Sequence, residues 1–405
     1  MSFQNFINYL TRHKNPSIDF SDLFSTEKNH HKLLKLLHKY PTPIFICDPS
    51  IIQKRYQRLE TLLIKYWGHN HAIAYSLKSN YQLTKSLKNL GAWAEVVSDF
   101  ELNQALKVGF PGKKIIYNGP YKPNTSLKLA IKNQVLINID NQEELKRLSS
   151  LTKRELINLG LRINIYDDVR HFGFNLDSKE LKDVIDQINK HSNLQLVSLH
   201  CHLGSNIDKP LLYSKAALKL TNLANHLHQN HNIAIKMIDL GGGFPSHGPK
   251  PFQHQTWQAH SIDQYIMPIC QTIRNHISFK PLPQLIFEPG RYLVDDSVVY
   301  LCQVIAQKNS QKRQVLITNG ANTMLQLSYY QPAIIKTYSP QLDPRTSKSQ
   351  QTIVYGATCK DDDCLYTGSL PKLQINDFII FYCTGAYNLN LTPEFIFPKP
   401  DLLIL

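Results

Sequence analysis

From residue 42 to about 289 the chain alternates short apolar runs with stretches whose apolar positions recur every three or four residues. The runs PIFICD (43–48), AIAYSLK (72–78), AEVVS (94–98), KIIYNG (114–119), VLINID (135–140), GLRINI (160–165), LQLVSLHCH (194–202), IKMIDLGGG (235–243) and QLIFEPGR (284–291) have the length of buried strands. Between them, 49–66, 82–90, 99–109, 125–133, 142–151, 178–190, 209–229 and 262–276 carry helical periodicity. Such alternation predicts an α/β fold with a parallel sheet, and about eight units close a (β/α)₈ barrel of roughly 250 residues. After Tyr292 the pattern becomes period-2 and β-rich over 298–307, 314–319, 352–359 and 377–387, which predicts an antiparallel sheet. The polar stretch 336–350, with two prolines, reads as a loop. The expected organisation is a segment 1–41 packing on the β domain, a barrel over 42–292, and a C-terminal β domain over 293–405.

Composition narrows the function classes. With 45 Lys+Arg against 31 Asp+Glu the net charge is +14, which invites a nucleic-acid partner. The positive residues are dispersed, with no basic block and no nucleic-acid motif, so that partner is set aside. No run approaches the roughly 18 to 20 apolar residues that span a bilayer, and the start of the chain lacks a signal-peptide pattern. A cytoplasmic address with no membrane partner is expected. The cysteines at 47, 201, 270, 302, 359, 364 and 383 form neither a disulfide framework nor a zinc motif.

In a (β/α)₈ barrel the chemistry sits at the C-terminal ends of the strands. Those ends present Lys78, Ser98, Arg162, His202, Gly241 to Gly243, and Glu288 with Arg291. A lysine in an apolar run has a lowered pKa and can form a Schiff base, or it simply snorkels. Three glycines after a strand can bring backbone N–H groups to an anion, or only form a tight turn. His200 and His202 are one pleat repeat apart and predicted to share a face, yet no third residue at metal-ligand spacing accompanies them, so no metal is expected. Glu288 closes an apolar strand and needs a partner, for which Arg291 is the simple candidate.

Taken together, YSLKSN, VVSDFE, HCHLGSNI, DLGGGFP, EPGRYLV, GATCKDDDC and CTGAY, in this order, resemble the fold-type III (alanine racemase-like) decarboxylases dependent on pyridoxal 5'-phosphate, the group of diaminopimelate and ornithine decarboxylases. The resemblance runs from about Thr42 to Tyr387. It implies that Lys78 holds the cofactor aldehyde as a Schiff base, that CO₂ loss leaves a carbanion stabilised by the cofactor, and that Glu288 keeps the pyridine nitrogen protonated. It further implies that His202 stacks on the ring, and that Ser205, Gly241, Gly242, Gly243, Gly290, Arg291 and Tyr387 bind the cofactor phosphate. Arg291 and Tyr387 also contact substrate. A homodimer follows by the same resemblance, with Cys359 of the partner chain protonating the intermediate. Ser98 and Glu101 fit the family pattern, whereas Glu95 stands where an Asp is usual.

Departures cluster at the substrate residues. Diaminopimelate decarboxylases carry Cys-Glu-Ser and ornithine-type enzymes place Asp after the Cys, but this chain has Cys359-Lys360-Asp361. A lysine there repels a distal ammonium. Where the family has a carboxylate-binding Arg, Gln326 stands, although Tyr330 is kept. The segment NIYDDVRH (164–171) is shorter than in diaminopimelate decarboxylases, which admits a bulkier substrate. The expected substrate is an α-amino acid with a polar or anionic distal group, of the kind used by siderophore and other specialised decarboxylases. The alternatives are a diaminopimelate decarboxylase of lysine biosynthesis with a modified pocket, and a non-catalytic regulatory homologue that binds a partner protein.

Overall fold

The computed structural model describes residues 27–152, 155–166, 171–247, 259–308, 313–326 and 334–405, with side chains from residue 31. They divide into two compact units, one drawn from residues up to Pro49, Ser246–Ala259 and Asp295–Leu405, the other from Ser50–Pro245 and His260–Val294.

The strands in chain order are β1 (Ile44–Cys47), β2 (His71–Ser76), β3 (Trp93–Val96), β4 (Ile115–Tyr117), β5 (Leu136–Ile139), β6 (Ile157–Asn164), β7 (Phe174–Asn175), β8 (Leu194–His200), β9 (Met237–Asp239) and β10 (Gln284–Phe287). β11 (Val298–Lys308), β12 (Gln314–Thr318), β13 (Ile334–Tyr338), β14 (Gln350–Tyr355), β15 (Cys364–Leu370), β16 (Phe378–Tyr382) and β17 (Leu402–Ile404) follow.

In the second unit the parallel order β5-β4-β3-β2-β10-β9-β8-β6 closes on itself through β5 and β6, with Ile137 opposite Leu159, giving an eight-stranded barrel with β7 added beside β6. Its strands are short and apolar along their length because helices cover one face and the barrel interior the other. Ala72, Ala74, Ile116, Leu136, Val197 and Ile286 form one buried cluster of the barrel strands. The helix Lys179–Lys190 shows how the covering layer is encoded: Leu181, Val184, Ile185 and Ile188 make one buried stripe, and the Ser178 hydroxyl accepts from Leu181 N to cap it.

The first unit is a mixed sheet in the order β13-β16-β11-β12-β14-β15, with β1 beside β11 and β17 beside β1. Most pairings are antiparallel, as the period-2 pattern predicts, but β12–β14 and β1–β17 run parallel. Two expectations need correction. The run 43–48, expected within the barrel, is β1 of this mixed sheet: Ile44 to Cys47 face Leu301 to Val298 antiparallel. Its residues are buried on both sides, so its apolar run gave no sign of which sheet it joins. The stretch 336–350 is not wholly a loop, since β13 reaches Tyr338. The helix Glu27–Lys39 is part of this unit, and the remainder of the expected 1–41 segment lies outside the described residues.

Candidate active site

β2 stops at Ser76, and Lys78 sits just beyond it in a single 3₁₀ turn, Leu77–Ser79. The turn aims the amine at the neighbouring strand, where Lys78 Nζ lies 2.6 Å from Glu95 Oε2. Glu95 is 2% exposed and Lys78 35%, so the pair joins a buried anion to a half-buried cation. Ser76 Oγ donates to the same carboxylate oxygen at 2.5 Å. The other oxygen accepts from Asn118 Nδ2 at 3.2 Å. The position where Asp is usual therefore carries the direct partner of Lys78. Ser98 caps the helix Asp99–Val108: its Oγ accepts from Glu101 N, and the Glu101 carboxylate accepts from Val97 N, one residue before the cap.

Asn118 also donates to Glu288 Oε1 at 2.7 Å. The second oxygen of Glu288 is 3.3 Å from His200 Nε2, and His200, Asp239 and Glu288 bring side-chain atoms within 4.8 Å of one another. All three are buried. Burial would raise the Glu288 pKa, but the adjacent His200 imidazole, the neighbouring Asp239 and the Lys78 ammonium outweigh it and hold the carboxyl well below its usual range. Burial and the adjacent Glu288 push Asp239 the other way, far above the ordinary carboxyl range. The partners of Glu288 are Asn118, His200 and Asp239, not the expected Arg291, which is itself buried four positions before Asp295 in the helix Arg291–Val294.

His202 lies past the end of β8 while His200 is its last residue, so the two histidines do different work. His202 Nδ1 accepts from Gly242 N at 3.3 Å. Burial, then the Lys78 ammonium, lowers its pKa to about 3, so the ring is neutral. Gly241 (φ +64°) and Gly243 (φ +87°) are left-handed, as a tight turn requires. Gly242 has no room for a side chain because a Cβ would overlap Glu288 O, and one on Gly243 would overlap Gly204 O. These glycines weld the loops after β8, β9 and β10 together at the barrel mouth. Ser205 is exposed beside them. Gly290 is required for another reason: its Cβ would overlap Ser79 Oγ, next to Lys78. Arg162 packs its guanidinium 4.3 Å from the centre of the Phe172 ring and reaches Asp140 at 3.4 Å.

The remaining expected site residues belong to the mixed-sheet unit. Cys359 is exposed, and Lys360 Nζ lies 3.5 Å from Asp362 Oδ1. Their loop is fastened by the buried Asp363, whose carboxylate accepts from Asn322 N, Thr358 N and Thr358 Oγ1. Gln326 Nε2 donates to Thr323 O at 2.6 Å. Tyr387 has φ +67°, an unusual backbone for a bulky residue, and precedes the short helix Asn388–Leu391. Tyr330 and residues 167–170 of the shortened segment lie outside the described residues.

Asn118, Asp239, Glu95 and His200 are the site residues that sequence reasoning left without a role. The available signal was polar side chains at the ends of apolar strands; which groups they meet depends on neighbouring strands far apart in sequence.

A pyridoxal phosphate ring needs an amine for its aldehyde and an anion for its ring nitrogen. The barrel mouth holds a half-buried lysine amine and an ionised buried carboxylate, linked through Glu95 and Asn118, beside a neutral imidazole. That donor set fits the cofactor. Residues 50–295 match the family model of the pyridoxal-dependent decarboxylase, pyridoxal binding domain. Diaminopimelate decarboxylase of Bacillus subtilis is 25% identical over 395 residues, 92% of this chain and 88% of the relative. L-glutamyl-[BtrI acyl-carrier protein] decarboxylase of Niallia circulans is 25% identical over 400 residues, 91% and 89%. The crystal structure of diaminopimelate decarboxylase from Helicobacter pylori complexed with L-lysine shares the fold with a TM-score of 0.80, at 23% identity over 92% of this chain and 93% of that one. With a family match over more than half its length, laid on a barrel whose mouth suits the cofactor, the chain belongs to the pyridoxal-dependent decarboxylases, carboxy-lyases that act on amino acids with pyridoxal phosphate.

Proposed function

We propose that the chain decarboxylates an α-amino acid whose distal end is polar or anionic. The carrying observation is the reversed charge after Cys359: Lys360 stands where the family places an acid, and Gln326 where it places an arginine. Lys360 is about one-third exposed and its partner Asp362 more than three-quarters exposed. An exposed pair of this kind holds less than about 1 kcal/mol, so the ammonium is available to a ligand. Asp363 is turned inward by its hydrogen bonds and does not cancel that charge. The relative named for a glutamyl group on an acyl-carrier protein supports this reading, because such a substrate carries no distal ammonium. The alternative, a diaminopimelate decarboxylase with a modified pocket, is favoured by the names of several other relatives.

When bound, pyridoxal phosphate supplies the electron sink for the pair released from the Cα–carboxylate bond. Lys78 would hold its aldehyde, and Glu95 would keep that amine oriented and charged until it is engaged. Glu288, kept anionic by its neighbours, would hold a proton at the ring nitrogen. His202, neutral, would lie against the ring, and Ser205, Gly241 to Gly243, Gly290, Arg291 and Tyr387 would bind phosphate. We further propose a homodimer in which Cys359 of each chain delivers a proton to Cα in the partner's site, with Lys360 beside it selecting the tail.

A CO₂-release screen of α-amino acids and conjugates with acidic, neutral and basic tails tests the reading. Acidic or neutral tails should react faster than meso-diaminopimelate and ornithine, and Lys360→Glu should reverse the order. Equal or faster turnover of the diamines by the unaltered chain favours the alternative. Lys78→Ala should abolish the visible absorption of bound cofactor.

A further inference from the structure

Asn118 is 3% exposed at the end of β4, and each polar atom of its amide is used. Its nitrogen donates 2.7 Å to Glu288 Oε1 and 3.2 Å to Glu95 Oε1. Its oxygen accepts from Asn138 Nδ2 at 2.8 Å. Two carboxylate neighbours fix which end of the amide is nitrogen, since carboxylates accept. Asn138 is held from behind: Gly160 passes so close that a Cβ there would overlap Asn138 Oδ1. The amide therefore has one orientation, with its two N–H bonds divided between two acids.

Those acids serve opposite ends of the site. Glu95 faces Lys78, Ser76 and, at longer range, Glu101. Glu288 faces His200, Asp239 and Lys78. Two buried carboxylates this close repel, and a donor shared between them offsets part of that repulsion and fixes their spacing. We propose that Asn118 is a positioning residue that holds the Glu95 and Glu288 carboxylates at a set separation and orientation, so that the amine end and the ring-nitrogen end of the cofactor site are tuned through one amide.

The inference rests on the site reading in which Lys78 and Glu288 meet the cofactor. Its test uses the reconstituted holoenzyme with N118D, N118S and N118Q. N118D replaces a donor with a third acid at unchanged size; N118S is neutral and short; N118Q restores the amide. The pH midpoint of the bound cofactor's visible band should move by more than about one unit in N118D and N118S. Turnover should fall roughly 100-fold with KM changed less than threefold, and the dissociation constant for pyridoxal phosphate should rise in both. N118Q should recover part of each. An unchanged midpoint and cofactor affinity in N118D or N118S overturns the inference. Failure of all three variants to give the native circular dichroism as apoprotein also overturns it, in favour of a purely structural amide. Loss of the visible band in K78A alongside wild-type behaviour of N118D leaves the site reading standing and removes only this inference; a retained band in K78A removes the site reading itself.

Discussion

Lys78 Nζ and Glu95 Oε2 are 2.6 Å apart, and the glutamate, one methylene longer than the residue usual at that place, spans the gap from β3 to the turn after β2. The extra length is thereby used: a shorter acid on the same strand stops short of the amine unless the backbone moves. Glu95→Asp should lower turnover, and Glu95→Gln should lower it further by removing the anion while keeping the shape. We expect roughly 10- to 100-fold losses in kcat with little change in KM, since in the proposed reaction the amine takes part in the chemistry rather than in tail recognition. Steady-state kinetics of the two variants check this; a fall confined to KM contradicts it.

His202 provides a prediction about acid. Its folded pKa, about 3, lies below the ordinary histidine value of 6.5, so between those limits the unfolded chain binds a proton that the folded chain does not. The contribution is fully present above pH 6.5 and is lost as pH falls toward 3. Melting temperature should drop with acidification over that window, and His202→Gln should flatten the slope. No inflection of kcat near pH 6.5 should trace to this ring. A slope unchanged in the variant would show that other groups carry the acid sensitivity.

Gly242 and Gly290 look alike in sequence but should respond differently to alanine. The added Cβ at Gly242 meets the backbone oxygen of Glu288, which cannot move without shifting β10. At Gly290 it meets Ser79 Oγ, a side-chain atom with no other bonding partner. Gly290→Ala should cost about 1–3 kcal/mol as an overpacking change, and Ser79→Gly in the same chain should recover much of it. Gly242→Ala should not yield folded protein in the same expression. Denaturant melts of the single and double variants decide the matter.

Lys122 is completely buried and donates to Glu144 Oε1 at 2.7 Å, Gly119 O and Asn138 O. Burial lowers its pKa, the Glu144 carboxylate opposing that effect. Lys122→Met leaves Glu144 buried without its cation and should destabilise by about 3–5 kcal/mol, whereas Lys122→Met with Glu144→Leu should be milder. Chemical denaturation at neutral pH measures both; equal losses would mean the lysine's carbonyl contacts, not its ion pair, hold the loop.

The barrel was legible in the sequence because each of its strands is a short apolar run followed by a periodic helix, and the order of the pairs determines a closed parallel sheet. Lys78, His202 and Glu288 stood out as candidates for a related reason: a polar residue at the end of an apolar strand is conspicuous. Asn118 and Asp239 had no interpretable partner, because a strand-end side chain meets groups on neighbouring strands at sequence separations that follow no pattern, for Asn118 those being 20 to Asn138, 23 to Glu95 and 170 to Glu288. Arg291 was the natural guess for Glu288 by proximity in sequence, and the helix at Arg291–Val294 leaves that carboxylate to the neighbouring strands instead. β1 was assigned to the wrong sheet because burial on both faces erases the periodicity that separates a barrel strand from one inside a mixed sheet. β15 was not anticipated, its run CLYTGSL mixing buried and exposed positions around a glycine.

The placement of β1 between β11 and β17 carries a further consequence for biosynthesis. Phe45 N donates to Asp401 O and Leu405 N to Cys47 O, so residues near 45 acquire their parallel neighbour only after position 401 has left the ribosome. All eight barrel strands are by then available, the eighth ending at Phe287. The barrel can therefore assemble while Ile44–Cys47 still waits with an unsatisfied edge, an apolar strand that must be kept from pairing with other chains until Leu402–Ile404 has emerged.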